Sequence, residues 1–102
     1  MVFAPRDEGD EDRSACALVR AHRDGDPDAF AEIVRLHYRP LLSIARRQLG
    51  GTVDAEDALQ ETFLRAFLAL DRFGGTGEWR LGAWLRTILL RVCADIPERR
   101  GR

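Results

Sequence analysis

The chain has 102 residues, 45% apolar and 32% charged, with a formal net charge of −1 at pH 7. This composition excludes a disordered chain, and the length fits one domain with one hydrophobic core. The two cysteines lack metal-ligand or redox spacing, and there is neither a signal-peptide pattern nor a long apolar run. We therefore expect a cytoplasmic protein that needs no cofactor and no metal.

Charge divides the chain into three parts. Residues 1–12 hold five acidic residues against one arginine, which predicts a disordered acidic tail. Residues 13–97 are expected to form a helical domain, and residues 98–102 a basic C-terminal tail or the start of a linker. Residues 79–102 hold six arginines against two acids, a concentration of positive charge that suits a polyanion partner.

Capping signals predict two helices in the first half of the domain. Ser14 can cap a short helix that runs to about Arg23 and ends at Gly25. Asp26 followed by Pro27 is a typical start signal and predicts a second, longer helix.

Residues at helical spacing predict the buried face of this second helix. Pro40 interrupts the series and is expected to kink or divide the helix, and Gly50 ends it. His37 lies on the apolar side, where a lone histidine is interpreted as a core residue. The series is Phe30, Ile33, Val34, His37, Leu41, Ile44, Ala45 and Leu49.

The stretch from Asp54 to Phe73 has the longest uninterrupted helical pattern and carries apolar residues on two faces. The core face comprises Leu59, Phe63, Ala66 and Leu70, at spacings of four, three and four. The opposite face comprises Asp57, Glu61, Leu64 and Leu68. Two leucines among carboxylates on an outward face predict a docking surface for another protein.

A glycine-rich connection separates this stretch from a last helix, predicted from about Glu78 to Ile96. The helix is expected to bury Leu81, Leu85, Ile88, Leu89 and Val92. Beside that face, Arg80, Trp84, Thr87 and Arg91 share one flank. An aromatic ring among cations suits stacked bases and phosphates, but a core tryptophan surrounded by arginine stems explains the pattern equally well.

Several kinds of chemistry are absent from the sequence. No nucleophile, phosphate-binding or metal-protease motif is present, so we expect neither an enzyme nor a catalytic residue. Alternating strand patterns are also missing, which predicts an all-α fold, a compact bundle of about four helices. A helix-turn-helix at LGGTVDAEDALQETF was considered, but so acidic a recognition helix would be repelled from DNA.

Residues 26–95 resemble region 2 of bacterial sigma factors of the extracytoplasmic-function (ECF) group. The resemblance is carried by DPDAFAEIVRLHYRPLLSIARRQLG, then DAEDALQETFLRAFLALDRF, then WRLGAWLRTI with Asp95 after it. It implies a sigma region 2 fold for residues 13–97. It also implies a transcription initiation module that binds core RNA polymerase and recognises and melts the minus-ten promoter element.

The resemblance assigns two groups of residues. The helix from Asp54 to Phe73 is expected to dock on the clamp helices of the largest polymerase subunit through Asp57, Gln60, Glu61, Leu64, Arg65 and Leu68. The loop and last helix are expected to hold the single-stranded non-template minus-ten DNA through Phe73, Trp79, Arg80, Trp84, Thr87 and Arg91.

Two positions depart from the family pattern. Arg91 stands where relatives usually carry asparagine near the flipped-base pocket, and Pro97 ends the last helix where relatives continue into a basic run. These departures keep a second hypothesis open. It is a protein interaction module of the same fold with little DNA activity, whose partner is an anti-sigma factor or a similar regulator.

Overall fold

A computed structural model describes residues 17–72 and 81–96, and all regular structure in these ranges is helical. In chain order the helices are α1 over residues 17–23, α2 over Pro27–Leu49, α3 over Thr52–Ala69 and α4 over Leu81–Ala94, with a 3-10 turn, Leu70–Arg72, after α3. The predicted all-α class is confirmed. The tail over 1–12, Ser14, the loop over 73–79 and residues 97–102 lie outside the described ranges.

The turn between α1 and α2 follows the sequence signals. Gly25 has a φ of 96°, a left-handed conformation that glycine adopts without steric cost. Asp26 caps α2, since its carboxylate accepts a hydrogen bond from the Asp28 amide at 2.9 Å. Pro27 occupies the first turn, where its missing amide costs nothing. The predicted helix start is therefore confirmed.

Removing the Asp26 cap is expected to destabilise the domain. Asp26→Ala leaves the Asp28 amide without its side-chain acceptor, which should lower the free energy of unfolding by about 1 kcal/mol in a urea titration. Asp26→Asn serves as the control, because asparagine caps about as well as aspartate. Equal losses in both variants would contradict a capping role and indicate an effect of charge alone.

Of the two outcomes predicted for Pro40, a kink or a division of the helix, the division does not occur. The helix is continuous from Pro27 to Leu49, and Pro40 lies on its exposed side. Pro40 cannot donate to the Leu36 carbonyl, and Leu36 is also exposed, so water can take the place of the missing donor. Buried residues before and after the proline, such as Ile33 and Leu41, hold both halves of the helix on the core.

The core lies around α3, which packs against both α2 and α4. All four residues predicted for the core face of α3 are buried: Leu59, Phe63, Ala66 and Leu70. Ala55, Ala58 and Thr62 widen this face, and the Thr62 hydroxyl donates to the Ala58 carbonyl at 2.7 Å, so no buried polar group is left without a partner there. The α-helical geometry of α3 ends at Ala69, whereas the sequence predicted a single helix to residue 73.

Helix α4 covers the other side of the core with Leu81, Leu85, Leu89, Val92 and Cys93, while Ile88 is partly buried. The helix ends at Ala94, two residues before the predicted end, and the amide of Ile96 closes a last turn on the Cys93 carbonyl at 3.1 Å. Burial raises the pKa of the Cys93 thiol, which keeps it neutral, as expected of an idle buried cysteine.

The contact between α2 and α4 involves His37. A Cβ added to Gly82 would lie 3.6 Å from Cε1 of the His37 ring, so the half-buried histidine packs directly over the glycine. This position agrees with the interpretation of His37 as a packing residue. Within residues 17–72 and 81–96, no helix is both long enough and apolar enough to span a bilayer.

Candidate functional site

The outward face of α3 carries large apolar side chains in water. Leu64 is 53% exposed and Leu68 is 68% exposed, and Asp57 and Glu61 are exposed on the same face. The opposite side of the helix is occupied by the core residues, so these side chains cannot turn inward. The exposure predicted from the helical pattern is confirmed, although exposure alone does not identify a partner.

A groove of about 540 Å³ lies between α3 and the C-terminal end of α4. Its α3 wall consists of five of the six residues that the sequence assigned to docking: Asp57, Gln60, Glu61, Leu64 and Arg65. Leu68, the sixth, is one turn further along the outward face and does not line the groove. The predicted residues therefore border a concave surface rather than a flat helix face.

The second wall of the groove was not assigned from the sequence. It is formed by Val92, Asp95 and Ile96, which bring the end of α4 against the middle of α3. Asp95 had been noted only as part of the family motif. The helical pattern of α3 contains no information about which other residues pack beside that helix. The wall could have been predicted only by extending the apolar pattern of α4 beyond Ala94 to Ile96.

The groove is lined by both apolar and charged side chains. Leu64, Val92 and Ile96 supply apolar surface, and the lining also carries three carboxylates against one guanidinium. That guanidinium, on Arg65, donates from Nε to the Glu61 carboxylate at 2.9 Å, so these two charges largely neutralise each other. The lining as a whole holds more carboxylates than guanidinium groups, a balance that suits a partner presenting an apolar side chain flanked by basic groups.

The flank of α4 predicted to contact nucleic acid is described only in part. Phe73, Trp79 and Arg80 lie outside the described residues. Trp84 is partly buried against the core, so packing accounts for at least one side of its ring. Thr87 and Arg91 are exposed, and the Thr87 hydroxyl donates to the Ala83 carbonyl at 3.0 Å. The described part of the flank thus carries a half-buried aromatic ring and, two turns further along α4, an exposed guanidinium.

A group of aromatic rings joins α1, α2 and α3 and was not predicted. The Phe67 ring centroid lies 5.2 Å from that of His22 and 5.2 Å from that of Phe30, both in edge-to-face geometry. Phe30 also meets Phe63, with centroids 6.4 Å apart. We call His22, Phe30, Phe63 and Phe67 the aromatic cluster. Phe67 had been placed on neither face of the helix, yet it is 47% exposed at the edge of the outward face.

The described residues hold no group of three or more metal-ligating side chains. Asp54, Asp57 and Glu61 follow one another along α3 without forming such a group. The electrostatics of the site are therefore those of surface carboxylates and arginines.

Comparison of the sequence with known protein families shows the class of protein to which this chain belongs. Residues 33–102 match the sigma-70 region 2 family, which is more than half of the chain. The chain belongs to the sigma-70 region 2 family, and the resemblance to region 2 of the ECF group is confirmed.

Individual relatives come from several bacteria. The chain is 36% identical over 91 residues to the ECF RNA polymerase sigma factor SigM of Mycobacterium tuberculosis, covering 85% of this chain and 43% of SigM. It is 32% identical over 77 residues to SigW of Bacillus subtilis, covering 76% and 40%. It is 35% identical over 78 residues to BldN of Streptomyces coelicolor, covering 76% and 29%. The chain spans less than half the length of each of these relatives.

Proposed function

We propose that this chain is a transcription initiation module that binds core RNA polymerase through α3 and single-stranded minus-ten promoter DNA through α4. The observation that carries the proposal is the groove, because five of the six residues assigned to polymerase docking line one concave, acidic and partly apolar surface. Membership of the sigma-70 region 2 family and relatives named as RNA polymerase sigma factors support the same function. Its place of action would be the cytoplasm, where polymerase works.

Docking would use the groove as a receptor for a helix of the polymerase clamp. The exposed Leu64 and the partly buried Ile96 offer apolar contact area, and their removal from water on binding contributes about 25 cal/mol per Å². Asp57 and Asp95 would select a partner with basic side chains and would speed its approach. Leu68 would extend the contact one turn beyond the groove.

Promoter binding would use the flank of α4. The exposed side of Trp84 would stack on a base of the non-template strand, and Arg91 would contact a neighbouring phosphate. Phe73, Trp79 and Arg80 belong to the same proposed site by their resemblance to the family. In this arrangement the acidic helix meets protein and the arginine-bearing helix meets nucleic acid.

A direct binding measurement tests the polymerase half of the proposal. The fluorescently labelled chain, titrated with bacterial core RNA polymerase, is expected to show saturable binding that weakens at high salt, because part of the contact is ionic. Absence of binding at micromolar polymerase would overturn it. A chain that binds an anti-sigma factor but neither polymerase nor promoter DNA would instead be a regulator-binding module.

Trp84→Ala is expected to weaken binding to a single-stranded minus-ten oligonucleotide by about 5-fold to 150-fold. The reason is that stacking of one base on an aromatic side chain contributes about 1–3 kcal/mol. Fluorescence anisotropy at constant salt measures the affinity, and circular dichroism shows whether the variant is folded at the temperature used.

The matched control is Trp84→Phe, which keeps an aromatic ring in the same place against the core. It should retain most of the DNA affinity, whereas the alanine variant loses it. If Trp84→Ala binds the oligonucleotide as wild type does but melts at a lower temperature, Trp84 serves the core alone. Preference for duplex over single-stranded DNA would favour the helix-turn-helix alternative.

A further inference from the structure

One side of α2 carries arginines without neighbouring acids. Residues 33–53 contain four arginines and neither aspartate nor glutamate, although the chain as a whole has 17 acidic residues among 102. Arg35, the first of the four, is paired with Glu32, because its Nε donates to a carboxylate oxygen at 2.9 Å, so its charge is already balanced. The other three are exposed and form no ion pair within the described residues: Arg39, Arg46 and Arg47.

These three arginines surround Ser43 on the helix surface. Arg39 precedes Ser43 by four residues, and Arg46 and Arg47 follow it by three and four, which are the spacings of surface neighbours on a helix. Ser43 is exposed as well. Three guanidinium groups and one hydroxyl therefore share one exposed surface, and we call Arg39, Ser43, Arg46 and Arg47 the arginine face.

Helix stability does not account for the arginine face. Arg46 and Arg47 lie in the last turn of α2, where cations are favoured by the negative end of the helix dipole. Arg39 lies two turns earlier, outside the range of that effect. Exposed helix surfaces that are only solvated commonly alternate charges of both signs. A surface with three arginines and no carboxylate between them instead favours a polyanionic partner.

The arginine face is on a different side of the molecule from the groove. It lies opposite the buried residues of α2, such as Leu41 and Ala45, which face the core. The outward face of α3 is likewise turned away from the core, so a partner on α3 leaves the arginine face uncovered. Helix α4 packs against both α2 and α3. Nucleic acid held on α4 would therefore lie on a helix adjacent to the arginine face.

The composition of this face suits duplex DNA better than a single strand or an acidic protein. Phe30 and Tyr38, the aromatic residues of α2 besides His37, pack against the core, so a single strand would find no ring for base stacking. Leu36 is the one large apolar side chain of α2 that is exposed, which is too little for the apolar centre of a protein interface. Duplex bases are stacked on one another already, and the duplex presents a line of phosphates. Arginines about 10 Å apart along the helix axis can contact separate phosphates of such a line.

We infer that the arginine face binds the phosphate backbone of duplex DNA that adjoins the single-stranded minus-ten segment. The inference rests on the proposed function, which brings DNA to α4, and adds a second contact that is independent of base sequence. In this arrangement polymerase lies against α3, and the duplex lies against the opposite side of α2.

The test measures binding to a single-stranded minus-ten oligonucleotide and to the same segment joined to a duplex arm on its 5′ or its 3′ side. With the duplex arm that reaches α2, Arg39→Gln, Arg46→Gln and Arg47→Gln should each weaken binding by about two- to fivefold. Each should also reduce the slope of log affinity against log salt by about 0.9, the loss of one phosphate contact. Binding to the single strand alone should not change. Fluorescence anisotropy over a series of salt concentrations measures both quantities.

Arg20→Gln is the matched control. Arg20 is exposed on α1, forms no ion pair within the described residues, and loses the same charge on substitution. It should leave the affinity and the salt slope unchanged, whereas a general effect of net charge would alter all four variants alike. All four replace exposed side chains, so circular dichroism melts should stay within a few degrees of wild type.

Four results would overturn the inference. If neither duplex arm adds affinity, or if the arginine variants bind both junctions as wild type does, the inference fails while the proposed function stands, and an acidic protein becomes the candidate occupant. Equal losses on the single strand alone would assign the arginine face to single-stranded DNA. A wild-type chain that binds none of the three DNAs would refute both this inference and the DNA half of the proposed function.

Discussion

Combined replacement of Asp57 by arginine and Leu64 by alanine is expected to weaken binding to core RNA polymerase by about 100-fold or more. Leu64 is 53% exposed and lines the groove, so truncation removes apolar contact area that only a partner can cover. Reversal of the Asp57 charge turns an attraction into a repulsion. Loss of one partner of a charge pair buried at an interface commonly costs about 2–5 kcal/mol of binding free energy. Titration of labelled chain with polymerase measures the loss.

The controls separate a local effect from a general one. Leu36→Ala removes the same side-chain atoms from a site of similar exposure on α2 and should leave the affinity unchanged. Both altered residues are exposed, so the double variant should melt within a few degrees of wild type. If the folded double variant binds polymerase as tightly as wild type, α3 is not the docking helix.

Leu85→Ala is expected to give a large loss of stability. Leu85 is fully buried in the core that α4 shares with α3. Its truncation removes buried methyl groups and leaves a cavity, which should lower the free energy of unfolding by about 2–5 kcal/mol. That loss is a large part of the total free energy of unfolding of a small domain, which is about 5–15 kcal/mol. Urea denaturation followed by circular dichroism measures it.

Leu90→Ala is the matched control on the same helix. Leu90 is 40% exposed, and its truncation should change stability by no more than about 0.5 kcal/mol. A loss below about 1 kcal/mol for Leu85→Ala would mean that α4 does not pack on α3 as described. In that case the wall of the groove formed by Val92 and Ile96 would be in question too, because Leu85 and Val92 lie on the same buried face of α4.

The order of helices and their buried faces were largely predictable. The Asp26 cap, the Gly50 end of α2 and the core residues of α3 are determined by local chemistry and by the helical period. Pro40 was predicted to kink or divide α2, and the division does not occur. Its local preference for a break is overridden because packing holds both halves of α2 on the core, and because the carbonyl that it leaves without a donor belongs to an exposed residue.

The candidate site was predictable on one helix and not across helices. The outward position of Asp57, Glu61 and Leu64 followed from their angles around the α3 axis. The aromatic cluster did not, because Phe67 lies between the buried and the outward faces of its own helix. Only the approach of His22 and Phe30 makes it part of a surface.

The sequence by itself determined that this chain is a helical domain of the sigma region 2 type with an acidic, leucine-bearing outward face on α3. Helical periodicity and caps are local properties, readable within one helix at a time. The tertiary structure decided that Asp95 and Ile96 make the outward face of α3 one wall of a groove, and that Phe67 joins it to α1. Such neighbours depend on how separate helices pack, and the period of one helix carries no information about which helix lies beside it.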